Sequence, residues 1–362
     1  MSGTPDFNPF GSVHSGGDGQ DKPVEPTEPP LLPLTEIPLS AGYGVRGPWF
    51  ELYFTNPTSP LASQETGGPD GPLAAAIDEA RLSVDAAIFS LSLNSIRDAL
   101  RRAYDRGVRV RVVMESDNLD EFDPQVLVET GIPVLGDRRE GLMHNKFVVI
   151  DNSEVWTGSM NFTTSGAYED NNNLIRIRSA EIAADYTKEF EEMFKDDLFG
   201  ADVLAETPNS RVHLYGIPID IYFSPDDSAA DGLLDLVMNA KENITFMAYS
   251  FTSDPLGAAV RERAAENVKV RGVMDDGQLA SNLGSEYDAF RQAGLDVRLD
   301  GSDSQMHHKV LIIDRQVVLT GSYNFTASAE ERNDENLLVI YNAAIAQQFL
   351  VEFQRIYDQA RP

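Results

Sequence analysis

The chain has no cysteine among its 362 residues, which excludes disulfides, thiolate zinc sites and cysteine nucleophiles. It has no run of about 18 apolar residues of the kind that crosses a bilayer, and no hydrophobic signal core follows Met1. Basic residues are scarce: 29 Lys and Arg stand against 58 Asp and Glu, a formal charge of −29. That balance argues against a broad cationic surface gripping nucleic acid or anionic lipid by counterion release, while leaving room for a local positive cleft. Histidine is sparse as well, five in all, and three of the five fall in two short motifs.

Those motifs are His144-Asn145-Lys146 followed by Asp151, and His307-His308-Lys309 followed by Asp314. Each reads H-x-K-x4-D and continues into a Gly-Ser-x-Asn-Phe-Thr segment, at 158–163 and 321–326, with a constant offset of 163 positions. The offset persists into closing helices, where Ile182, Tyr186 and Phe190 align with Ile345, Phe349 and Phe353. Upstream it becomes 160, with Ala87-Ile88-Phe89-Ser90 opposite Met247-Ala248-Tyr249-Ser250. A repeat this long fixes the domain organisation before any fold is named.

The expected organisation is a flexible Pro/Gly-rich tail over 1–47, a first half over 48–200, a connector over 201–217 and a second half over 218–362. Within each half apolar strands alternate with amphipathic helices: helix 73–80, strand 83–90, helix 95–106 and strand 109–114, repeated at 233–240, 244–251, 256–266 and 268–274. This pattern predicts an α/β fold of two repeated αβα sandwiches, each a sheet covered on both faces, related by a pseudo-twofold axis. The tail in front of a cysteine-free chain fits an exported bacterial protein whose signal or anchor has been trimmed; the alternative is a cytoplasmic protein with a loose tail.

Side chains two apart on a strand share a face, so His144 pairs with Lys146 and His307 with Lys309. Short hairpins follow, and Ser159 with Asn161, and Ser322 with Asn324, close the return strands with the same spacing. Each half thus brings an imidazole, an ammonium, a hydroxyl and an amide to one cleft. That inventory suits a phosphodiester: lysines and amides stabilise the five-coordinate phosphorus, one neutral imidazole attacks, and the other, protonated, serves the leaving oxygen.

The paired H-x-K-x4-D motifs and the trailing G-S-x-N resemble the phospholipase D superfamily, over about residues 48–360. The resemblance implies an αβα fold in each half, one active site between them, a covalent phosphohistidine and no metal or other cofactor. It makes His144 the nucleophile and His307 the general acid, and adds Asp151 and Asp314 to the catalytic set, although aspartate at the start of a turn also serves its own backbone. Glu335 lies 28 residues after His307, where the first half has Asn172. By the family analogy Glu335 orients His144, while His307 lacks such a carboxylate unless Asp170 supplies it.

Bland readings stand beside these. His308 should point away from the cleft, and His14 and His213 have no repeat counterpart. Arg138 and Arg139 either meet substrate phosphate or are solvated, and the acids Asp117, Asp120, Glu121, Asp275 and Asp276 read as surface loops rather than a metal site. The G-S-x-N-F-T continuation is similar to the superfamily's endonucleases, so the expected partner is a nucleic-acid phosphodiester, with a membrane phospholipid as the alternative. A monomer containing an intramolecular pseudo-dimer, without stable membrane insertion, is expected.

Overall fold

The computed structural model describes residues 32–203, 207–281 and 283–361; most of the expected tail, including His14, lies outside them. The first sheet is built from β1 (Thr35–Leu39), β2 (Gly42–Arg46), β3 (Phe50–Thr55), β4 (Ser83–Ile88), β5 (Arg109–Met114), β6 (Val134–Gly136), β7 (Lys146–Ile150), β8 (Glu154–Gly158) and β9 (Asn173–Arg178). The second contains β10 (Arg211–Leu214), β11 (Ile217–Ser224), β12 (Asn243–Ala248), β13 (Lys269–Met274), β14 (Asp296–Leu299), β15 (Lys309–Ile313), β16 (Val317–Gly321) and β17 (Glu335–Tyr341). Their orders, β1-β2-β3-β9-β8-β7-β4-β5-β6 and β10-β11-β17-β16-β15-β12-β13-β14, coincide over eight strands, from β2 against β10 to β6 against β14. The duplication read from the sequence is therefore a duplication of topology.

The period-two alternation of the motif strands separates the cores. In β7, Phe147 and Val149 enter a central core that draws residues from both halves, whereas Val148 and Ile150 enter the outer core of the first half. In β15, Val310 and Ile312 join the central core, and Leu311 and Ile313 the outer core of the second. The long helices Ala180–Asp196 and Ala343–Gln359 supply the middle, with Tyr186, Phe190, Phe349 and Phe353 buried as their four-residue spacing requires. Ser179 and Asn342 cap them by accepting the amides of Ile182 and Ile345.

Two boundaries differ from expectation. Residues 35–46, assigned to the tail, form a hairpin that extends the sheet through β3. The proline content disguised it: Pro38 sits on the edge strand, where a missing amide costs no ladder bond, and Ile37 and Leu39 pack on the outer core. The connector likewise contains β10 and the start of β11, joined through Tyr215 and Gly216, both at positive φ (53° and 79°) as a two-residue hairpin demands. The first helix begins at Asp70, ahead of the expected Leu73, because Pro72 is tolerated in a first turn.

Candidate active site

Each histidine is pinned to the opposite half by its backbone. The His144 amide donates to the Asp334 carbonyl at 3.0 Å, and the Asp334 amide to the Leu142 carbonyl at 2.9 Å. At the equivalent place the His307 amide donates to Asn171 at 3.0 Å and the Asn171 amide to Gln305 at 2.8 Å. These matched bridges realise the pseudo-twofold axis and bring both H-x-K pairs into one buried site, with His144, Lys146, His307 and Lys309 at most 7% exposed.

The imidazoles are held differently. His144 Nδ1 lies 2.7 Å from Glu335 Oε2, and that carboxylate is fully buried. His307 Nδ1 lies 3.0 Å from two acceptors, the Ser159 carbonyl and Asn172 Oδ1. Nδ1 is the donor in both rings, which leaves both Nε2 atoms as the reactive positions. The role offered to Asp170 falls to Asn172 instead; Asp170 accepts the Gln305 amide at 3.1 Å.

Lys146 Nζ donates to the His144 carbonyl at 2.7 Å and Lys309 Nζ to the His307 carbonyl at 2.9 Å. Each ammonium has two further protons for a ligand. Phe89 and Tyr249, equivalent in the repeat, each pack edge-on against a histidine, at 4.8 and 4.5 Å, and under a lysine, at 4.9 and 4.6 Å. Sequence reasoning aligned these aromatics without assigning them a role. Burial pushes the Lys146 ammonium down to about 7, with Glu335 opposing, and drives Lys309 well below the usual range, aided by Lys146. Burial also lowers His144 to about 4 against the pull of Glu335, and lowers His307 well below its usual value together with the nearby lysines. Both imidazoles are therefore neutral near pH 7.

Several expected site residues have other work. Asp151 accepts the amides of Arg81, Leu82 and Ser83 at 3.0, 2.6 and 3.0 Å. Asp314 does the same for Lys241, Glu242 and Asn243 at 2.9, 2.7 and 2.9 Å. Burial raises the Asp314 carboxyl, but those amides override it and hold it below the ordinary value. Five residues of strand, roughly 16 Å, separate each aspartate from its lysine, so both leave the catalytic set as organisers of the helix-to-strand turn. Ser159 and Ser322 are fully buried and spent on the fold: Ser159 Oγ donates to Asn172 Oδ1 at 2.8 Å and accepts the Asn173 amide, and Ser322 Oγ accepts the Asn336 amide at 3.0 Å. They are not substrate-binding hydroxyls. A Cβ at Gly158 or Gly321 would run into the Asn173 or Asn336 carbonyl, which explains the glycine before each serine. Asn161 and Asn324 remain available, each with a buried carboxamide oxygen that has no hydrogen-bond partner among the described residues.

The odd residues of the motifs turn inward. His308 lies between Asn173 Nδ2 at 3.0 Å and Glu352 Oε1 at 3.1 Å, and Asn145 between Asn336 and Glu189. Arg138 and Arg139 pair with Asp197, and His213 is exposed on β10. Among the described residues no three His, Asp or Glu side chains are grouped to hold a metal ion. Asp275 instead accepts the amides of Gln278 and Met306.

A family model described as "Cardiolipin synthase, PLD-like domain" matches residues 73–194 and 233–357, which contain both motifs and Glu335. The chain belongs to this PLD-like family. Human mitochondrial cardiolipin hydrolase is 38% identical over 136 residues, covering 38% of this chain and 54% of that protein. A phospholipase D of Rickettsia bellii is 31% identical over 160 residues, covering 42% of this chain and 79% of that protein. The match therefore spans about half of the human relative. In fold, the PLD-like chain resembles the phosphatidylserine synthase of Haemophilus influenzae, with a TM-score of 0.61 at 16% identity over 81% of this chain and 84% of that one.

Proposed function

We propose that this PLD-like protein hydrolyses phosphodiesters in two steps through a phosphohistidine, with His144 as nucleophile and His307 as general acid and then base. The observation that carries the assignment is the unequal pairing of the two rings. Phosphorylation at Nε2 with Nδ1 still protonated leaves a cationic ring, which the buried Glu335 carboxylate at 2.7 Å stabilises. The neutral Asn172 amide gives His307 no such charge, so its imidazolium, formed when an anionic diester enters, is a strong proton donor. Lys146, Lys309 and the Asn161 and Asn324 carboxamides take the non-bridging oxygens as charge develops. Two ammonium groups supply the charge that a metal ion would otherwise bring.

Two substrates were expected from the sequence, and we place the phospholipid type before the nucleic-acid type. The curated relatives carry the names cardiolipin hydrolase and phospholipase D. A nucleic-acid strand, moreover, would have to approach a chain of charge −29 whose arginines just ahead of the first motif, Arg138 and Arg139, are already paired with Asp197. The experiment is hydrolysis, in EDTA, of labelled single-stranded DNA and of phosphatidylcholine vesicles by wild type and His144→Ala. Headgroup release that disappears in the variant is expected. Cleavage of DNA alone would reverse the substrate order, and magnesium-dependent activity unaffected by the substitution would overturn the mechanism.

A further inference from the structure

The middle residue of each H-x-K motif is fully buried, and in both halves it makes the same two bonds with a different group. Asn145 Oδ1 accepts Asn336 Nδ2 at 2.8 Å, and Asn145 Nδ2 donates to Glu189 Oε1 at 3.3 Å. His308 Nδ1 accepts Asn173 Nδ2 at 3.0 Å, and His308 Nε2 donates to Glu352 Oε1 at 3.1 Å. Thr320 orients Asn173 for this by donating its hydroxyl to the carboxamide oxygen at 2.9 Å. The His308 ring is thus a neutral relay with its proton on Nε2.

Beyond this point the repeat is broken. Arg355 stands where the first half has Glu192, and Asn171 where the second half has Asp334. The Arg355 guanidinium donates to both oxygens of Glu352, at 2.6 and 2.8 Å, and to Asn171 Oδ1 at 2.6 Å; the Tyr43 hydroxyl donates to Glu352 at 2.7 Å. Burial would raise the Glu352 carboxyl, yet Arg355 and His308 bring it down to about 2. Glu189, with a glutamate in place of that arginine, is driven well above the usual carboxylate range by burial and by Asp334.

Both ends of the Arg355, Glu352 and His308 chain reach His307. Arg355 holds Asn171, whose carbonyl accepts the His307 amide at 3.0 Å and whose amide donates to Gln305 at 2.8 Å. His308 holds Asn173, whose backbone and side-chain amides both donate to Ser159 Oγ. Ser159 Oγ donates to Asn172 Oδ1 at 2.8 Å, and that oxygen and the Ser159 carbonyl take the His307 Nδ1 proton. His144 is held by the charge of Glu335, whereas His307 has neutral acceptors, whose grip depends on how firmly they are themselves placed. Resting on the phosphodiesterase reading, we propose that His308, Glu352 and Arg355 are positioning residues for His307, fixing the imidazole that protonates the leaving oxygen.

The test measures kcat/KM in EDTA for two aryl diesters. Bis(4-nitrophenyl) phosphate releases a stabilised phenolate, whereas diphenyl phosphate releases one whose conjugate acid has a pKa of about 10 and so needs a general acid. His308→Leu and Arg355→Met, each first shown by circular dichroism to be folded, should lose about tenfold or more on diphenyl phosphate and stay within about twofold of wild type on the nitrophenyl ester. His308→Asn, which installs the relay of the first half, should restore diphenyl phosphate turnover to within about threefold of wild type. Added to His307→Ala, neither His308→Leu nor Arg355→Met should cost anything further. Equal losses on both esters, no rescue by asparagine, or full additivity with His307→Ala would overturn the proposal and leave the chain as a structural tie. If His308→Leu does not fold, Arg355→Met decides by the same criteria. If His307→Ala itself loses equally on both esters, or the wild type turns over neither, the general-acid reading fails and the inference with it. That reading stands when only the His308 and Arg355 variants miss the expected pattern.

Discussion

Replacing Asp151 by alanine separates a structural from a catalytic reading of the motif's last residue. The carboxylate takes three amides, those of Arg81, Leu82 and Ser83. The first two belong to exposed residues, so water replaces the lost acceptor and each bond contributes little net stability. Ser83 opens β4 and is 3% exposed, so its amide loses its partner where water reaches poorly, at a cost of roughly 1–3 kcal/mol. With the residual loss at the two exposed amides, a destabilisation of about 2–4 kcal/mol follows. The equivalent Asp314→Ala change should behave alike at Asn243, whose amide it holds at 2.9 Å. Urea unfolding followed by circular dichroism measures the stability, and turnover of bis(4-nitrophenyl) phosphate per folded molecule measures the chemistry. Turnover should stay within about twofold of wild type. A hundredfold loss in a variant that remains folded would refute the reasoning and return Asp151 to the catalytic set.

Two further outcomes are expected from the site. The profile of kcat/KM against pH reports the free enzyme; His144 must be neutral, which holds above about 4, and Lys146 must be charged, which holds below about 7. Lys309 and His307, which must also carry protons, are held well below their ordinary values, so activity should already be declining before pH reaches about 7, and a profile flat to pH 9 would contradict the buried-ammonium argument. His307→Ala should slow an alkyl diester by about a hundredfold or more while affecting an activated nitrophenyl diester far less, as the loss of a general acid requires; equal losses on both would remove His307 from that role.

Much of the site was legible because it is written in short, local patterns. The spacing of His144 and Lys146 put both on one strand face, the offset to His307 and Lys309 announced a second copy, and Glu335 opposite Asn172 predicted an unequal pair of histidines. The structure bears out that inequality as a carboxylate against one ring and an amide against the other. The serines of the G-S-x-N segments were misassigned because chemical type does not say what a hydroxyl meets. Ser159 and Ser322 are consumed by Asn172, Asn173 and Asn336 thirteen or fourteen residues further along the chain. Edge hairpin 35–46 was missed because prolines at a sheet edge have the composition of a tail.

By itself the sequence determined the duplication, the strand and helix order, and the four residues to which the proposed chemistry is assigned, since each of these rests on a period of two or four residues or on direct repetition. Tertiary structure decided which groups those residues meet. His144 and Glu335 are 191 positions apart, and Asn173 and His308 are 135 apart, in contacts that exist only because one half folds against the other. The same holds for the cavity walled by Phe89, Asn161 and Tyr249, which draws on both halves. Local periodicity fixes which way a side chain points; only the packing of the two halves fixes what it points at.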